Sequence, residues 1–321
     1  MRCSWATGRE RRKSADSKPL HYHAGMKVLV TDAGSGFAQA LLPALCSQSA
    51  VEAVTGVDTR PLRYAHPKLK PVRLATPDAV MPMLQGHDAL VHLAGPEATR
   101  AAGAAGTLEA KVRPAHRLFQ AANAAGVRRL IHLSTASVYG TAIHASEQSP
   151  LRPLPDFPYA AEQAHLERLL AIDFPHCVRL RPHLIVGPHA HATVRRLLRQ
   201  PFYPRLPEPQ PLFQCVHEDD LAAAMVLSLG PAARGPYNIA TEDSFSVRDA
   251  IRSRRHMRIG LSASAARSAL NFAVRFLRYD IDPAWLDRAS HTLLINCRRA
   301  IVELGWRRRY TAREALAATV A

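Results

Sequence analysis

A short loop of small residues follows the first apolar segment of the chain, and it reads TDAGSGFA over residues 31–38. Glycines let a backbone approach a pyrophosphate group closely, and a helix that starts after such a loop adds N–H donors and a positive dipole. Asp32 stands where a first glycine would normally make the tight turn. We interpret the loop as a phosphate-binding turn with the candidate residues Gly34, Ser35, Gly36 and Phe37.

An acidic residue strengthens this interpretation. Asp58 ends the second apolar segment, at about the 20-residue distance that dinucleotide-binding turns show. A carboxylate there accepts hydrogen bonds from the adenosine ribose hydroxyls and repels a 2′-phosphate. Arg60 and Arg63 follow it and offer partial compensation for that phosphate. The pattern favours NAD over NADP; the alternative is a solvated aspartate beside an ordinary tight turn.

Alternating strands and helices would position these residues. Apolar runs predict strands at 28–31, 51–58, 72–74, 89–94 and 130–134. Helical spacing predicts helices at 37–45 and 108–125. Near-continuously apolar strands that alternate with helices are typical of a parallel sheet covered on both faces. We therefore predict a doubly wound, Rossmann-like α/β fold, with its ligands beyond the carboxyl ends of the strands.

We expect the chain to divide into three regions. Residues 1–25 are polar, basic and without periodicity, which predicts a disordered tail. Residues 26–182 would form the dinucleotide-binding Rossmann domain. Residues 183–321 are less regular, with a predicted helix at 246–254, and would mainly bind substrate. Within them, residues 214–240 are expected to return to the Rossmann domain.

Short motifs occur in order along nearly the whole chain. They are VLVT at 28–31, GVD at 56–58, HLAG at 92–95, AGVRRL at 125–130, STASVYG at 134–140, PYAA at 158–161, LRP at 180–182, VGP at 186–188, VHEDDLA at 216–222, GPYNIA at 235–240 and LGW at 304–306. Their order and spacing resemble the extended short-chain dehydrogenase/reductases of the NAD-dependent epimerase/dehydratase family. The resemblance implies NAD as the cofactor and places Ala94 and Gly95 beside it.

The resemblance also implies a catalytic tyrosine, a lysine four residues later, and a serine or threonine that holds the substrate oxygen. Tyr159 and Thr135 match the tyrosine and the hydroxyl. The lysine position is Gln163, whose amide can donate to a cofactor ribose hydroxyl but carries no charge to lower the pKa of the phenol. Lys111, the only lysine after residue 70, matches a family asparagine near the nicotinamide. Two interpretations are open. Either the amide and the cation have exchanged positions between 111 and 163, so that Lys111 is catalytic, or the site has drifted and no longer turns over a substrate.

Composition limits the other classes of protein. The net charge is +16, but the arginines are scattered among alanines without aromatic interleaving, which disfavours nucleic-acid binding. No apolar run approaches the length of a membrane span. Five separated cysteines predict reduced thiols and a cytoplasmic location. The histidines at 183, 189 and 191 lack the ligand spacing of a zinc site, so we predict no metal.

Two functions follow from this pattern. The first is an NAD-dependent oxidoreductase or epimerase that acts on a nucleotide-sugar-like or other hydroxyl or carbonyl small molecule, with Tyr159 handling the proton. The second is a non-catalytic NAD-binding protein that senses NAD or regulates a partner. The missing lysine and the reduced number of glycines support the second. The sequence leaves a homodimer open.

Overall fold

The structure of the chain is a computed structural model that describes residues 25–93, 107–199, 202–204, 209–252, 259–262, 265, 268 and 290–320. The strands are β1 (Met26–Thr31), β2 (Val51–Asp58), β3 (Leu69–Arg73), β4 (Ala89–Leu93), β5 (Arg129–Leu133), β6 (Ala142–Ala145), β7 (Val178–Pro182), β8 (Leu184–Val186), β9 (Phe202–Pro204), β10 (Leu212–Phe213), β11 (Cys215–His217), β12 (Gly235–Ile239), β13 (Phe245–Ser246), β14 (Ile259–Leu261) and β15 (Leu293–Ile295). The helices are α1 (Ala38–Cys46), α2 (Leu108–Ala124), α3 (Pro158–Asp173), α4 (Ala192–Arg199), α5 (Glu218–Leu227), α6 (Val247–Arg252), α7 (Arg298–Glu303) and α8 (Ala312–Ala318), with 3₁₀ turns at Pro77–Leu84 and Ala136–Tyr139.

A seven-stranded sheet forms the centre of the fold, with the strand order β12-β7-β5-β4-β1-β2-β3. Its neighbouring strands pair in parallel. The order reverses between β1 and β4, so the crevice beyond their carboxyl ends is the switch point where ligands bind in such sheets. The predicted doubly wound, Rossmann-like α/β fold is confirmed.

The apolar strands are buried on both faces, as their composition predicts. On one face, Val28 and Val30 of β1 belong to a core cluster that includes Leu41 of α1, and α1 packs against α5. On the other face, Leu29 belongs to a second cluster that includes Phe119 of α2, and α2 packs against α3. Alternate residues of one strand therefore anchor helices on opposite sides of the sheet.

Short strand pairs surround the central sheet: β8 pairs with β11 in the region after β7, and β15 of that region pairs with β6, which precedes β7. Several predicted boundaries differ from the structure by one to three residues, and two of them have a physical reason. The strand predicted at 72–74 extends over Leu69–Arg73, because the buried Leu69 anchors an otherwise largely exposed edge strand. The helix predicted at 246–254 is described over Val247–Arg252, after Ser246 has paired with Leu212.

The structure can be compared with the expectations about a membrane span, the cysteines and the N-terminal tail. Within the described ranges, no helix is long and apolar enough to cross a membrane. Cys46, Cys177, Cys215 and Cys297 are free and buried, while Cys3 lies outside the described residues. The cytoplasmic location inferred from the cysteines stays a prediction. The predicted tail at 1–25 lies, except for Gly25, outside the described residues.

Candidate functional site

The loop after β1 makes a tight turn with an aspartate at its first position. Asp32 has a φ of 54°, in the left-handed region that glycine adopts most readily and that aspartate tolerates better than most residues. The backbone of Ser35 donates to the carbonyl of Asp32 at 3.0 Å, and that of Ala33 donates to Val57 on β2 at 3.2 Å. Asp32 thus takes the backbone conformation expected of the glycine that it replaces.

Both remaining glycines of the loop lie where a side chain would collide. A Cβ at Gly36 would lie 2.4 Å from the carbonyl oxygen of His189, and one at Gly34 would lie 3.0 Å from Oδ2 of Asp58. The close approach at Gly36 is therefore to the protein's own backbone. Helix α1 then starts with Phe37 at its N-cap, which provides no capping oxygen, and a helix N-terminus favours an anion.

Asp58 lies at the carboxyl end of β2 and is only 5% exposed. Its Oδ2 accepts from the backbone N–H of Gly34 at 2.8 Å, and Arg60 contacts both carboxylate oxygens. Burial alone would raise the pKa of Asp58, but the hydrogen bonds from Arg60 and Gly34 outweigh it and hold the pKa below its usual range. The ionised carboxylate of Asp58 and the N-terminus of α1, where Oγ of Ser35 accepts from the backbone of Ala38 at 3.4 Å, together fit a dinucleotide.

Thr135 and Tyr159 lie at the starts of a 3₁₀ turn and of helix α3. Thr135 follows β5, and its Oγ1 accepts from the backbone of Ser137 at 3.2 Å. Tyr159 lies in the first turn of α3 and is partly buried. Burial raises the pKa of the Tyr159 phenol, and the nearby negative charges of Asp32 and Glu162 raise it further. The phenol thus lies close to the phosphate-binding turn and is neutral at pH 7.

Gln163, at the position that the motif resemblance assigns to the family's lysine, is held by a residue of the central sheet. Its Oε1 accepts a hydrogen bond from Nε2 of His132 at 2.8 Å, and the residue is 4% exposed. In a planar amide, this fixes the two N–H donors on the opposite side, where they would be offered to a ribose hydroxyl. The sequence analysis missed His132, which lies unmarked within the apolar run of β5.

His132 belongs to a buried aromatic group. Its ring stacks on that of His92 with centroids 5.6 Å apart, and both rings meet Phe119 edge-on. Burial lowers the pKa of His92 to about 3 and that of His132 to about 4. Nδ1 of His92 lies 2.8 Å from Oγ1 of Thr31, at the end of β1. Two neutral imidazoles thus lie between the phosphate-binding turn and Gln163.

Lys111 approaches α3 from α2. Its Nζ lies 3.6 Å from Oε1 of Glu162, and their side chains are 19% and 9% exposed. The charge on Glu162 is one of those that raise the pKa of Tyr159. Lys111 therefore pairs with the acidic neighbour of the phenol, which leaves its predicted catalytic role a prediction.

A buried polar network supports Thr135 and α3 from below, and the sequence analysis missed it as well. Ser134 donates to Glu167 at 2.5 Å, and Arg181 on β7 donates to Glu167 through Nε and Nη2. Arg181 also donates to the hydroxyl of Tyr139 at 2.5 Å. Because all these groups are buried and paired, they hold the ends of β5 and β7 and the middle of α3 in fixed relation.

A histidine–glutamate pair closes the other side of the turn. Nδ1 of His189 lies 2.7 Å from Oε1 of Glu218, whose side chain is 2% exposed. Burial raises the pKa of Glu218, and the contacts with His189 partly offset this. The described ranges contain no group of three or more histidine, cysteine, aspartate or glutamate residues that could hold a metal ion. The candidate residues Ala94 and Gly95 lie outside the described residues.

The sequence profile of the NAD-dependent epimerase/dehydratase family matches residues 29–240. This is more than half of the 321-residue chain, so the chain belongs to that family, and the resemblance seen in the motifs is confirmed. No curated protein sequence matches the chain significantly.

Solved structures with the same fold cover nearly the whole chain. MoeE5 in complex with UDP-glucose and NAD is 25% identical, with a TM-score of 0.70 over 91% of this chain and 97% of that one. DesIV, a dTDP-glucose 4,6-dehydratase from Streptomyces venezuelae, is 23% identical, with a TM-score of 0.67 over 92% and 95%. The UDP-glucose 4-epimerase of Thermotoga maritima is 16% identical, with a TM-score of 0.69 over 92% and 97%. The last two support the fold alone.

Proposed function

We propose that this protein is an NAD-dependent oxidoreductase or epimerase that acts on a hydroxyl or carbonyl group of a nucleotide-sugar-like molecule. The observation that carries the proposal is the position of Tyr159 in the first turn of α3, one turn before Gln163, whose side chain is bonded to His132 of the central strand β5. The charge of Asp32, in the phosphate-binding turn, is close enough to raise the pKa of the phenol. A group able to transfer a proton therefore lies beside the proposed dinucleotide site. Membership of the family and the NAD and UDP-glucose bound to MoeE5 support the same assignment.

The chain's own residues would divide the binding of NAD among them. The turn from Asp32 to Phe37 and the start of α1 would take the pyrophosphate, and Asp58 the adenosine ribose. The amide of Gln163, fixed by His132, would donate to the second ribose. NAD supplies an acceptor and donor of hydride, which a side chain cannot provide.

Tyr159 would exchange the proton with the substrate oxygen, and Thr135 would hold that oxygen. A phenol with a raised pKa is protonated at pH 7, so Tyr159 is prepared to donate a proton to a carbonyl oxygen that is being reduced. The reverse step needs the phenolate. We therefore infer that alcohol oxidation has the stronger dependence on alkaline pH.

A non-catalytic NAD-binding protein is the second candidate, and one observation favours it. Lys111, the residue that would supply the missing charge, is paired with Glu162, and Gln163, at the proposed lysine position, is a neutral amide bonded to His132. Such a protein would bind NAD at the same turn but would leave a sugar nucleotide unchanged. A homodimer stays a prediction under either function.

Turnover with purified protein distinguishes the two functions. The full chain would be incubated with NAD and a panel of UDP- and dTDP-sugars, with NADH fluorescence and product chromatography as the two readouts. Chromatography is needed because an epimerase produces no net NADH. We expect a changed sugar with at least one member of the panel. NAD binding without any product would support the regulatory protein.

A further inference from the structure

The acceptor positions of Asp58 are filled by donors from its own chain. A carboxylate offers about four lone-pair positions on its two oxygens. Oδ1 accepts from the backbone N–H of Arg60 at 2.8 Å and from its Nε at 3.1 Å. Oδ2 accepts from the backbone N–H of Gly34 at 2.8 Å and from Nη2 of Arg60 at 3.1 Å. The guanidinium of Arg60 therefore lies where ribose hydroxyls would have to bind.

The two side-chain hydrogen bonds of Arg60 occupy the same number of acceptor positions on Asp58 as the two hydroxyls of a ribose would. If the guanidinium leaves, one acceptor position opens on each oxygen of Asp58, while the backbone bonds from Gly34 and Arg60 remain. Two positions suit the two vicinal hydroxyls of an adenosine ribose. The side chain of Arg60 is 39% exposed, whereas that of Asp58 is 2% exposed. Arg60 is thus the member of the pair that can turn away without opening the core.

Asp32 gives the displaced guanidinium a second carboxylate nearby. Nη2 of Arg60 also lies 3.4 Å from Oδ1 of Asp32. A guanidinium that keeps this contact stays over the turn when it leaves Asp58. There it would lie near the 2′ position of a bound dinucleotide, where a phosphate forms a favourable bidentate pair with arginine.

We propose that Arg60 is a specificity-determining residue that occupies the adenosine ribose subsite on Asp58, competes with NAD, and pairs with the 2′-phosphate of NADP. The proposal rests on the proposed function, because it requires a dinucleotide at this turn. The preference for NAD over NADP should therefore be weaker than the charge of Asp58 alone would predict. Arg60 weakens NAD binding and strengthens NADP binding, so the two affinities lie closer together.

Calorimetric titration of the purified full chain with NAD and with NADP tests the proposal. In Arg60→Met, we expect the Kd for NAD to fall about threefold or more and that for NADP to rise about tenfold, the size of one lost charged hydrogen-bond pair. Arg60→Lys keeps the charge but cannot span both carboxylate oxygens. It should tighten NAD and keep NADP within about threefold.

Arg128→Met is the matched control. Arg128 forms an exposed pair with Asp88 at 2.7 Å, at the opposite end of the sheet, so this variant loses the same charge without touching the turn. Equal weakening of both dinucleotides in Arg60→Met would overturn the proposal, because Arg60 would then only hold Asp58 in place. Failure of all the proteins to bind either dinucleotide would contradict the proposed function, and this proposal with it.

Discussion

Oε1 of Gln163 accepts a hydrogen bond from Nε2 of His132 at 2.8 Å, in a contact between α3 and the central strand β5. The side chain of Gln163, at the position that the motif resemblance assigns to the family's lysine, is therefore fixed to the sheet by a buried imidazole. Because burial lowers the pKa of His132 to about 4, the imidazole is neutral at pH 7 and has a single N–H group to donate in a hydrogen bond. The pair thus holds a neutral amide at the position where the motif resemblance predicts a cation.

Removing one partner of the His132–Gln163 pair should lower the free energy of unfolding more than removing both. Gln163→Leu leaves the buried N–H of His132 without an acceptor, and we expect a loss of about 1–3 kcal/mol in the free energy of unfolding. The double variant His132→Phe/Gln163→Leu replaces both polar groups by apolar ones and should recover part of that loss. Urea unfolding of the two single variants and the double variant measures the coupling. Strictly additive losses would show that the two side chains do not interact.

Lys111 and Glu162 give a second prediction. Lys111→Met removes the cation beside a carboxylate whose side chain is 9% exposed, near Tyr159, which should destabilise the protein by about 1–3 kcal/mol. It should also lower turnover about tenfold, because the charge of Glu162, no longer offset by the Lys111 ammonium, opposes formation of a phenolate more strongly. The double variant Lys111→Met/Glu162→Gln should restore part of the lost stability and part of the lost turnover. Lys70→Met, on the exposed side of β3, is the control.

If the double variant stays as slow as Lys111→Met, the ammonium itself is required. That result would favour the exchange in which Lys111 replaces the family's lysine directly. Full activity in Lys111→Met would instead show that Lys111 has no role in catalysis.

Asp58 gives a third prediction, on cofactor choice. Its lowered pKa keeps it ionised at neutral pH, so it faces a 2′-phosphate with a like charge, and the unmodified protein should bind NAD more tightly than NADP. Asp58→Ala should narrow the ratio of the two Kd values about tenfold or more. Calorimetry with both dinucleotides measures it. A preference of the unmodified protein for NADP would contradict the assignment.

The same lowered pKa has a consequence for acid stability. A carboxyl group whose pKa is lower in the folded state stabilises the fold above its unfolded value, near 3.8 for aspartate. This contribution is lost as the pH falls through the folded pKa. Asp58→Asn should therefore lose stability at pH 7 relative to the unmodified protein, and the difference should shrink below pH ~4.

Features that depend on one short segment could be predicted from the sequence. The turn at Asp32 was such a feature, because a missing glycine before two others marks the position that must take a positive φ. The sheet followed from the apolar runs of its strands. The partners of Gln163 and Lys111 could not be predicted, because they depend on how α2 and α3 pack on β5. The contact of His189 with Gly36 joins segments far apart in the chain and left no local signal.

The pH dependence of turnover in the unmodified protein and in Tyr159→Phe tests the central claim most directly. Since burial and two nearby carboxylates raise the pKa of Tyr159 above its usual value near 10, the phenolate fraction should rise about tenfold per pH unit through the neutral and alkaline range. Alcohol oxidation with NAD should follow this rise, and Tyr159→Phe should abolish it while NAD still binds. Tyr64→Phe, which removes a phenol hydroxyl from the loop between β2 and β3, should behave like the unmodified protein. Turnover in Tyr159→Phe with an unchanged pH profile would contradict the account.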